Sequence, residues 1–114
     1  MALQERITIR LFGDEKCFGP GIAQLLERVE EHHSLRAAAI SMHMAYSKAW
    51  SIIRTSEASL GFPLLESVTG GKGGGGAVLT EQARSMLARY RQYQAEVGAY
   101  ARERFEVLFG EYIK

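Results

Sequence analysis

Five small polar or basic side chains recur at helical spacing in the middle of the chain and could bind nucleic acid. These side chains are Ser47, Lys48, Ser51, Arg54 and Thr55. At about 100° per residue they share one face of a helix predicted from about Ala45 to Leu60. The opposite face is apolar and consists of Ala49, Ile52, Ile53 and Leu60. Hydroxyl, ammonium and guanidinium groups donate to phosphate oxygens and purine edges, although such a face is also compatible with simple solvation.

A glycine-rich run is the second feature with a chemical use. Residues 70–76 hold six of the twelve glycines and one cation, Lys72. Strand-like segments flank the run, at Leu64–Thr69 and Ala77–Leu79, so the pattern predicts a hairpin tip that carries one positive charge. A phosphate-binding P-loop is excluded, because Lys72 is followed by glycine and a strand precedes the next helix. We expect Gly71, Lys72 and Gly73 to contact the DNA backbone or the adjacent minor groove.

The segments before this hairpin predict a helix-turn-helix. Ser34 is a plausible cap for a short alanine-rich helix, and the chain turns around residues 41–44. The third helix then follows, ended by Gly61 and Pro63. In this motif the last helix lies in the major groove, so the polar face described above would meet base edges. Arg36 is expected to hold a phosphate and Tyr46 to flank the same surface.

The N-terminal region is predicted as a strand, a turn and a first helix. Residues 3–12 alternate between apolar and polar side chains, which favours a half-buried strand. Residues 13–16 are typical of a turn. Pro20 is well placed to open a helix that runs to about His32.

The last predicted helix starts after Thr80 as its cap and extends through the C-terminal part of the chain. An apolar seam close to a heptad runs along it, and no other predicted element is left to cover this seam. We therefore predict a homodimer interface formed by Leu87, Tyr90, Val97, Ala101, Phe105 and Leu108. The predicted fold class is mainly α with a small β-sheet. It is a winged helix-turn-helix with an N-terminal strand, a two-stranded wing and a long C-terminal dimerisation helix, in which residues 1–80 form the DNA-binding domain and residues 81–114 the helix of the same unit.

Composition excludes several other functions. The formal net charge is +1, and the single cysteine, Cys17, excludes an intrachain disulfide. No apolar run reaches the roughly 18 residues of a membrane span, and no signal peptide is visible, so we expect a cytoplasmic protein without a membrane partner. Met42-His43-Met44 offers thioether and imidazole groups that suit Cu(I), but it lies in the helix-turn-helix turn, where methionines usually fill the core. His32-His33 lacks a cysteine or carboxylate at ligand spacing, so no metal site is predicted. No catalytic residue pattern stands out, so neither an enzyme nor a cofactor is predicted.

The run from Val68 to Thr80 resembles the N-terminal DNA-binding domain of the molybdate-dependent transcriptional regulators, the ModE family. Further matching pieces are Phe18-Gly19-Pro20-Gly21, Leu25-Leu26, Ala38-Ala39, Tyr46 with Lys48-Ala49-Trp50, and Pro63-Leu64-Leu65-Glu66. The resemblance covers nearly the whole chain. It implies a winged-helix domain of the type shared with LysR regulators, dimerised through its last helix and bound to double-stranded DNA.

Three departures from the family pattern matter. The family usually has Leu-Gly at the helix-turn-helix turn, where this chain has Met42-His43, and His43 would be strained at any positive φ. Ala45 stands where the family has a serine, so the third helix lacks a favoured cap residue and a hydroxyl that could contact a base or phosphate. The oxyanion-binding domains of molybdate-sensing members do not occur within these 114 residues, so molybdate binding is not expected.

Two functions remain open from the sequence. The first is a transcriptional regulator that binds a palindromic operator as a homodimer. The second is a protein-interaction module, a winged helix that pairs with another regulator and does not read DNA itself. The weak net charge, His43 and Ala45 motivate this second hypothesis. An effector at the dimer interface is a third option, for which the sequence offers no recognisable pocket.

Overall fold

The chain folds as a helix-turn-helix with a short β-hairpin before it, a second hairpin after it, and a long final helix. The structure is a computed structural model that describes residues 2–68 and 76–113. The elements in chain order are β1 (Leu11–Phe12), β2 (Lys16–Phe18), α1 (Pro20–His32), α2 (Leu35–Ser41), α3 (Tyr46–Leu60), β3 (Leu65–Val68), β4 (Gly76–Leu79), α4 (Glu81–Phe109) and a terminal 3-10 turn (Gly110–Tyr112). This architecture confirms the predicted winged-helix class.

The helix ends lie where local sequence signals predict them. Pro20 occupies the first turn of α1, where its missing N–H costs no hydrogen bond. The Ser34 hydroxyl accepts a hydrogen bond from the Ala37 amide at the start of α2, and the Thr80 hydroxyl accepts one from the Ala83 amide at the start of α4. The donor–acceptor distance is 3.0 Å in both. Gly61 ends α3 in the left-handed region with φ 85°. Each of these ends is therefore set by its own residue type.

The turn between α2 and α3 places a residue with a side chain in the left-handed region. His43 adopts φ 55°, so the strain expected for a side chain at this position is present. Ala45 occupies the cap position of α3 and makes no side-chain hydrogen bond there. The two departures cost local stability but leave the path of the helix-turn-helix intact.

The core lies where α1, α2, α3 and the start of α4 meet. The fully buried apolar side chains include Phe18, Leu25, Leu26, Val29, Ile53, Leu64, Leu79 and Tyr90. From α3, Ala49 and Ile53 are buried as predicted, while Ile52 and Leu60 are only partly buried. Ser56 is also buried, and its hydroxyl donates to the Cys17 carbonyl. These contacts fix which face of α3 remains outside.

The predicted N-terminal strand is wrong over most of its length. Only Leu11–Phe12 forms a ladder, pairing with Lys16–Phe18, and residues 2–10 belong to no ladder in the described part of the chain. The Tyr90 hydroxyl donates to the Ile9 carbonyl over 2.6 Å, so this segment contacts α4. Of the alternating apolar residues, Ile9 and Leu11 are half-buried, whereas Leu3 and Ile7 are exposed, so the alternation here does not mark a strand with one covered face.

The apolar seam of α4 is also covered in part within the chain, which corrects the prediction for two interface residues. Leu87 and Tyr90 are buried in the core of the single chain, and the Tyr90 ring packs edge-on against Phe18 with centroids 5.0 Å apart. The first turns of α4 pack into the core, and its later turns extend beyond the core. The four remaining residues lie further along α4, where Val97, Ala101 and Phe105 are half-buried and Leu108 is exposed.

Candidate nucleic-acid interface

The predicted polar face of α3 lies on the outside of the molecule. Ser47, Lys48, Ser51, Arg54 and Thr55 are all exposed. The reason is the packing of the opposite face, where Ala49, Ile53 and Ser56 are buried against the rest of the fold. The helix therefore presents hydroxyl, ammonium and guanidinium groups along an unobstructed ridge.

A groove runs along one side of this ridge, between α3 and the β3–β4 hairpin. This wing groove has a volume of about 640 Å³. The helical side contributes Arg36, Tyr46, Trp50, Arg54 and Glu57, and the hairpin side contributes Leu65, Glu66, Ser67, Val68 and Ala77. The structure thus brings together three predicted site residues, Arg36, Tyr46 and Arg54, which come from two different helices.

Aromatic rings hold both arginines of the wing groove. The Arg36 guanidinium lies 4.2 Å from the centre of the Tyr46 ring, and that of Arg54 lies 5.0 Å from the Trp50 ring. The two rings contact each other edge to face, 6.2 Å between centroids at 79°. Trp50 was not among the predicted site residues, and the spacing of four residues between Trp50 and Arg54 is the sequence signal that pairs them.

Glu57 lies in the same groove and is already engaged. Its Oε2 accepts a hydrogen bond from the Leu64 amide over 2.8 Å. The carboxylate thereby ties the last turn of α3 to the start of the wing. This role was not predicted, and the tight Gly61-Phe62-Pro63 connection is the sequence signal that brings the two residues close.

A second, smaller cleft borders the other side of the ridge. It has a volume of about 390 Å³ and lies between α3 and the segment from β2 to the start of α1. Ser51 and Thr55 line it from α3, and Arg10 and Lys16 supply two cations from the N-terminal region. Both cations are exposed, and neither was predicted to belong to the surface, because only the tertiary fold brings the β1–β2 hairpin beside α3.

The wing strands pair as predicted. β3 and β4 are antiparallel, with Leu65 opposite Leu79 and Val68 opposite Gly76. The Ala77 amide donates to the His33 carbonyl over 3.0 Å, which attaches the hairpin to the end of α1. The predicted tip residues Gly71, Lys72 and Gly73 lie outside the described residues.

The described residues offer little for chemistry of other kinds. In the ranges 2–68 and 76–113 no cluster of three or more His, Cys, Asp or Glu side chains could hold a metal ion. Met42 and Met44 pack against the core, and Cys17 is a buried free thiol. No described helix is both long enough and apolar enough to cross a membrane.

Comparison with known proteins places the helix-turn-helix in a family. Residues 23–84, more than half of the chain, match the bacterial regulatory helix-turn-helix proteins of the lysR family. The match extends from α1 through the wing to the first turn of α4, which is the region that presents the ridge and the wing groove.

Three relatives named ModE are each about a third identical to the chain over the aligned region. The chain is 34% identical over 92 residues to the molybdenum transport protein ModE of Azotobacter vinelandii, covering 77% of this chain and 34% of the relative. It is 37% identical over 70 residues to ModE of Herbaspirillum seropedicae, covering 61% and 26%. It is 33% identical over 89 residues to the DNA-binding transcriptional dual regulator ModE of Escherichia coli K12, covering 77% and 34%. The chain spans about a third or less of the length of these relatives. It belongs to the lysR family of bacterial regulatory helix-turn-helix proteins, with a ModE-like DNA-binding domain.

Proposed function

We propose that the protein is a transcriptional regulator that binds a two-fold symmetric operator as a homodimer. The observation that carries this proposal is the exposed polar ridge of α3 beside a groove that holds two arginines. The match to regulatory helix-turn-helix proteins and the similarity to a relative named as a DNA-binding regulator support it. The family and the relatives are regulators, not enzymes.

In this proposal α3 enters the major groove. Ser47, Lys48 and Ser51 lie in its first two turns, where a recognition helix meets base edges. Small hydroxyl side chains let the helix axis approach the bases, and Lys48 donates to purine acceptors or phosphates. Arg54 and Thr55 follow on the same exposed face and contact the strand that borders the groove.

The phosphate contacts come from residues around the ridge. Arg36 at the start of α2 and Arg54 on α3 supply guanidinium groups from one side, and Arg10 and Lys16 supply charge from the other. Lys72 and the amides of Gly71 and Gly73, at the predicted wing tip, would contact the backbone or the adjacent minor groove. The overall charge of +1 therefore understates the local charge of this surface.

The second subunit is proposed to pack on the later turns of α4. Val97, Ala101, Phe105 and Leu108 fall on one face of the helix, and Leu108 is exposed. Two α3 ridges related by the two-fold axis would read half-sites about 34 Å apart, or a multiple of this distance. A dimer also doubles the number of phosphate contacts and hence the electrostatic part of the affinity.

A salt titration of DNA binding tests the proposal. Genomic duplex fragments are titrated with the purified protein at several salt concentrations, and the slope of log affinity against log salt is compared among variants. Lys48→Ala and Arg54→Ala are each expected to weaken binding, and each loss of a phosphate contact reduces the slope by about 1. Arg89→Ala, which removes an exposed cation from α4, is the matched control and should change neither quantity. Binding that is insensitive to salt and to both substitutions contradicts the proposal.

The interaction-module hypothesis has one observation in its favour. The end of α4 exposes large apolar side chains, with Tyr100 67% and Leu108 61% exposed. Another regulator's helix could cover them as well as a second copy could. Capture of a different regulator together with no enrichment of DNA would favour this second function.

A further inference from the structure

Four side chains from α2 and α3 form a continuous row along the wing groove. We propose that the two aromatic residues in this row, Tyr46 and Trp50, are positioning residues that hold Arg36 and Arg54 for a DNA backbone strand lying in the wing groove. The inference rests on the proposed function, because it specifies how that function's phosphate contacts are made. The row, from Arg36 through Tyr46 and Trp50 to Arg54, is called the aromatic row below.

The contacts within the aromatic row restrict both arginines before DNA arrives. Each guanidinium lies within about 6 Å of a ring centroid, the range in which a cation is attracted to the ring face. The rings are themselves fixed, since both are half-buried, pack against the core and contact each other at 79°. An arginine that is already confined loses less side-chain freedom when it binds a phosphate.

The order of groups in the wing groove matches a sugar-phosphate strand. Cations lie at the two ends of the aromatic row with the two rings between them, and Leu65 and Val68 line the hairpin side of the same groove. Deoxyribose presents an apolar edge between two negatively charged phosphates. Two carboxylates share the groove with the arginines: Glu57, whose Oε2 accepts from the Leu64 amide, and Glu66 on the hairpin side. Arg36 and Arg54 therefore have to attract the phosphates against these two negative charges.

A backbone contact and a base contact differ in their response to sequence. Loss of a phosphate contact weakens binding by a similar factor on every duplex, whereas loss of a base contact weakens binding to the preferred sequence most. The aromatic row is therefore tested on two duplexes, one selected by the protein from genomic DNA and one of unrelated sequence.

The binding experiment is a double-substitution cycle between Trp50 and Arg54. Trp50→Leu is expected to weaken binding about 3- to 10-fold on both duplexes, the range expected when one such cation–ring contact is lost. The same substitution in an Arg54→Ala background is expected to have little further effect, because the residue that it positions is gone. Trp50→Phe keeps an aromatic face and should retain most of the affinity.

A spectroscopic measurement on the free protein checks the positioning itself. Side-chain protons of Arg54 that lie over the Trp50 ring should be shifted upfield in the NMR spectrum, and Trp50→Leu should remove this shift. Because Trp50 is the only tryptophan, its fluorescence should also change when DNA fills the wing groove. Thermal unfolding of each variant confirms that binding is measured on folded protein.

Several results overturn the inference. Equal losses from Trp50→Leu with and without Arg54 show that Trp50 does not act through this arginine. A loss confined to the selected duplex assigns the row to base reading, and an unshifted Arg54 spectrum shows that the side chain is not held. If the unsubstituted protein shows no salt-dependent DNA binding at all, the proposed function fails and the inference fails with it.

Discussion

His43 carries backbone strain at the centre of the helix-turn-helix. Its φ is 55°, and its amide still donates to the Ile40 carbonyl over 3.0 Å. The next amide, that of Met44, donates to Ala39 over 2.9 Å, so the turn is closed by backbone hydrogen bonds. The left-handed region costs a side-chain-bearing residue about 1–2 kcal/mol, which packing of α2 and α3 outweighs.

Replacing His43 by glycine should therefore stabilise the protein. We expect His43→Gly to raise the free energy of unfolding by about 0.5–1 kcal/mol, because relief of strain exceeds the added entropy of the unfolded chain. Urea unfolding without DNA measures this. Ala58→Gly, at an exposed position inside α3, is the control and should lower stability by about 1 kcal/mol. A fall in stability for His43→Gly would show that the turn does not need a glycine.

Tyr90 makes stability depend on alkaline pH. Burial raises the pKa of its phenol above the usual value near 10, an effect that Arg91 and Arg10 partly offset. The neutral phenol donates to the Ile9 carbonyl over 2.6 Å. Because the folded-state pKa is the higher one, this stabilisation is complete below the unfolded-state pKa and is lost as the pH rises through the folded-state pKa.

Tyr90→Phe should remove this pH dependence. At neutral pH the variant is expected to be about 1 kcal/mol less stable, because the hydrogen bond to Ile9 is lost. Its stability should then decline less above about pH 10 than that of the unsubstituted protein. Tyr93→Phe changes an exposed tyrosine of the same helix and should leave the alkaline decline unchanged. If the free energy of unfolding declines equally with alkaline pH in the unsubstituted protein, Tyr90→Phe and Tyr93→Phe, the assignment to Tyr90 is wrong.

At the scale of elements, the wing is attached to the helices at three described points. The Ala77 amide donates to the His33 carbonyl over 3.0 Å, the Thr80 hydroxyl donates to the Pro63 carbonyl over 2.8 Å, and the Leu64 amide donates to Glu57. The base of the hairpin is thereby held against the ends of α1 and α3. This fixed base is what gives the wing groove a defined width.

Gly76 has no room for a side chain at this attachment. A Cβ there would lie 2.5 Å from the His33 carbonyl oxygen, so β4 would have to move away from α1. We expect Gly76→Ala to lower the free energy of unfolding by about 1–3 kcal/mol. Gly21→Ala, whose Cβ meets open space in the first turn of α1, is the control and should be neutral or slightly stabilising. Equal effects of the two substitutions would show that β4 is not held at His33.

Local signals predicted the elements well, and tertiary relations were the part they could not supply. Ser34, Thr80, Pro20 and Gly61 act within one turn of their own position, so their roles were readable from residue type. The seam of α4 indicated a buried face without showing which residues bury it, and the alternation of residues 3–12 did not distinguish a paired strand from an unpaired extended segment. Leu87, Tyr90 and the N-terminal strand were assigned wrongly because local sequence signals do not show which elements pack together.

In the candidate site, too, local features were predictable from the sequence and contacts between elements were not. The exposed face of α3 was predicted because helical periodicity separates it from Ala49 and Ile53. The aromatic row was not predicted as a unit, since Arg36 and Tyr46 are ten residues apart on different helices. The position of Arg10 and Lys16 beside α3 likewise depends on the path of the β1–β2 hairpin.

At the scale of the whole molecule, α4 changes its role along its length. Its first turns belong to the core, and Arg91 donates to both carboxylate oxygens of Glu27 on α1 over 2.9 and 2.6 Å. These hydrogen bonds raise the pKa of Arg91, so the guanidinium stays charged at every ordinary pH. Beyond this pair the helix exposes Tyr100, Val107, Leu108 and Phe109. Of these, Leu108 lies on the same helix face as the half-buried Ala101 and Phe105, and exposed apolar side chains beside one another typically mark an interface.

The homodimer hypothesis predicts a specific response to charge on this face. Leu108→Glu should raise the dimer dissociation constant at least about 10-fold, because it would bury an unpaired carboxylate in the interface. Glu103→Lys, about 140° from Leu108 around the helix, is the control and should leave association unchanged. Sedimentation over a range of protein concentrations measures both. A monomer at all concentrations, or equal dissociation constants for the two variants, would contradict a dimer through α4.

Selection of bound fragments from genomic DNA measures whether this chain reads DNA as a two-fold symmetric unit. The purified protein is incubated with sheared DNA, and bound fragments are sequenced and footprinted, with Lys48→Ala as a parallel sample. A homodimeric operator-binding protein should enrich fragments that share an inverted repeat with half-sites about one helical turn apart, or a multiple, and Lys48→Ala should lose this enrichment. Fragments without a shared repeat, or equal recovery by the variant, would contradict it.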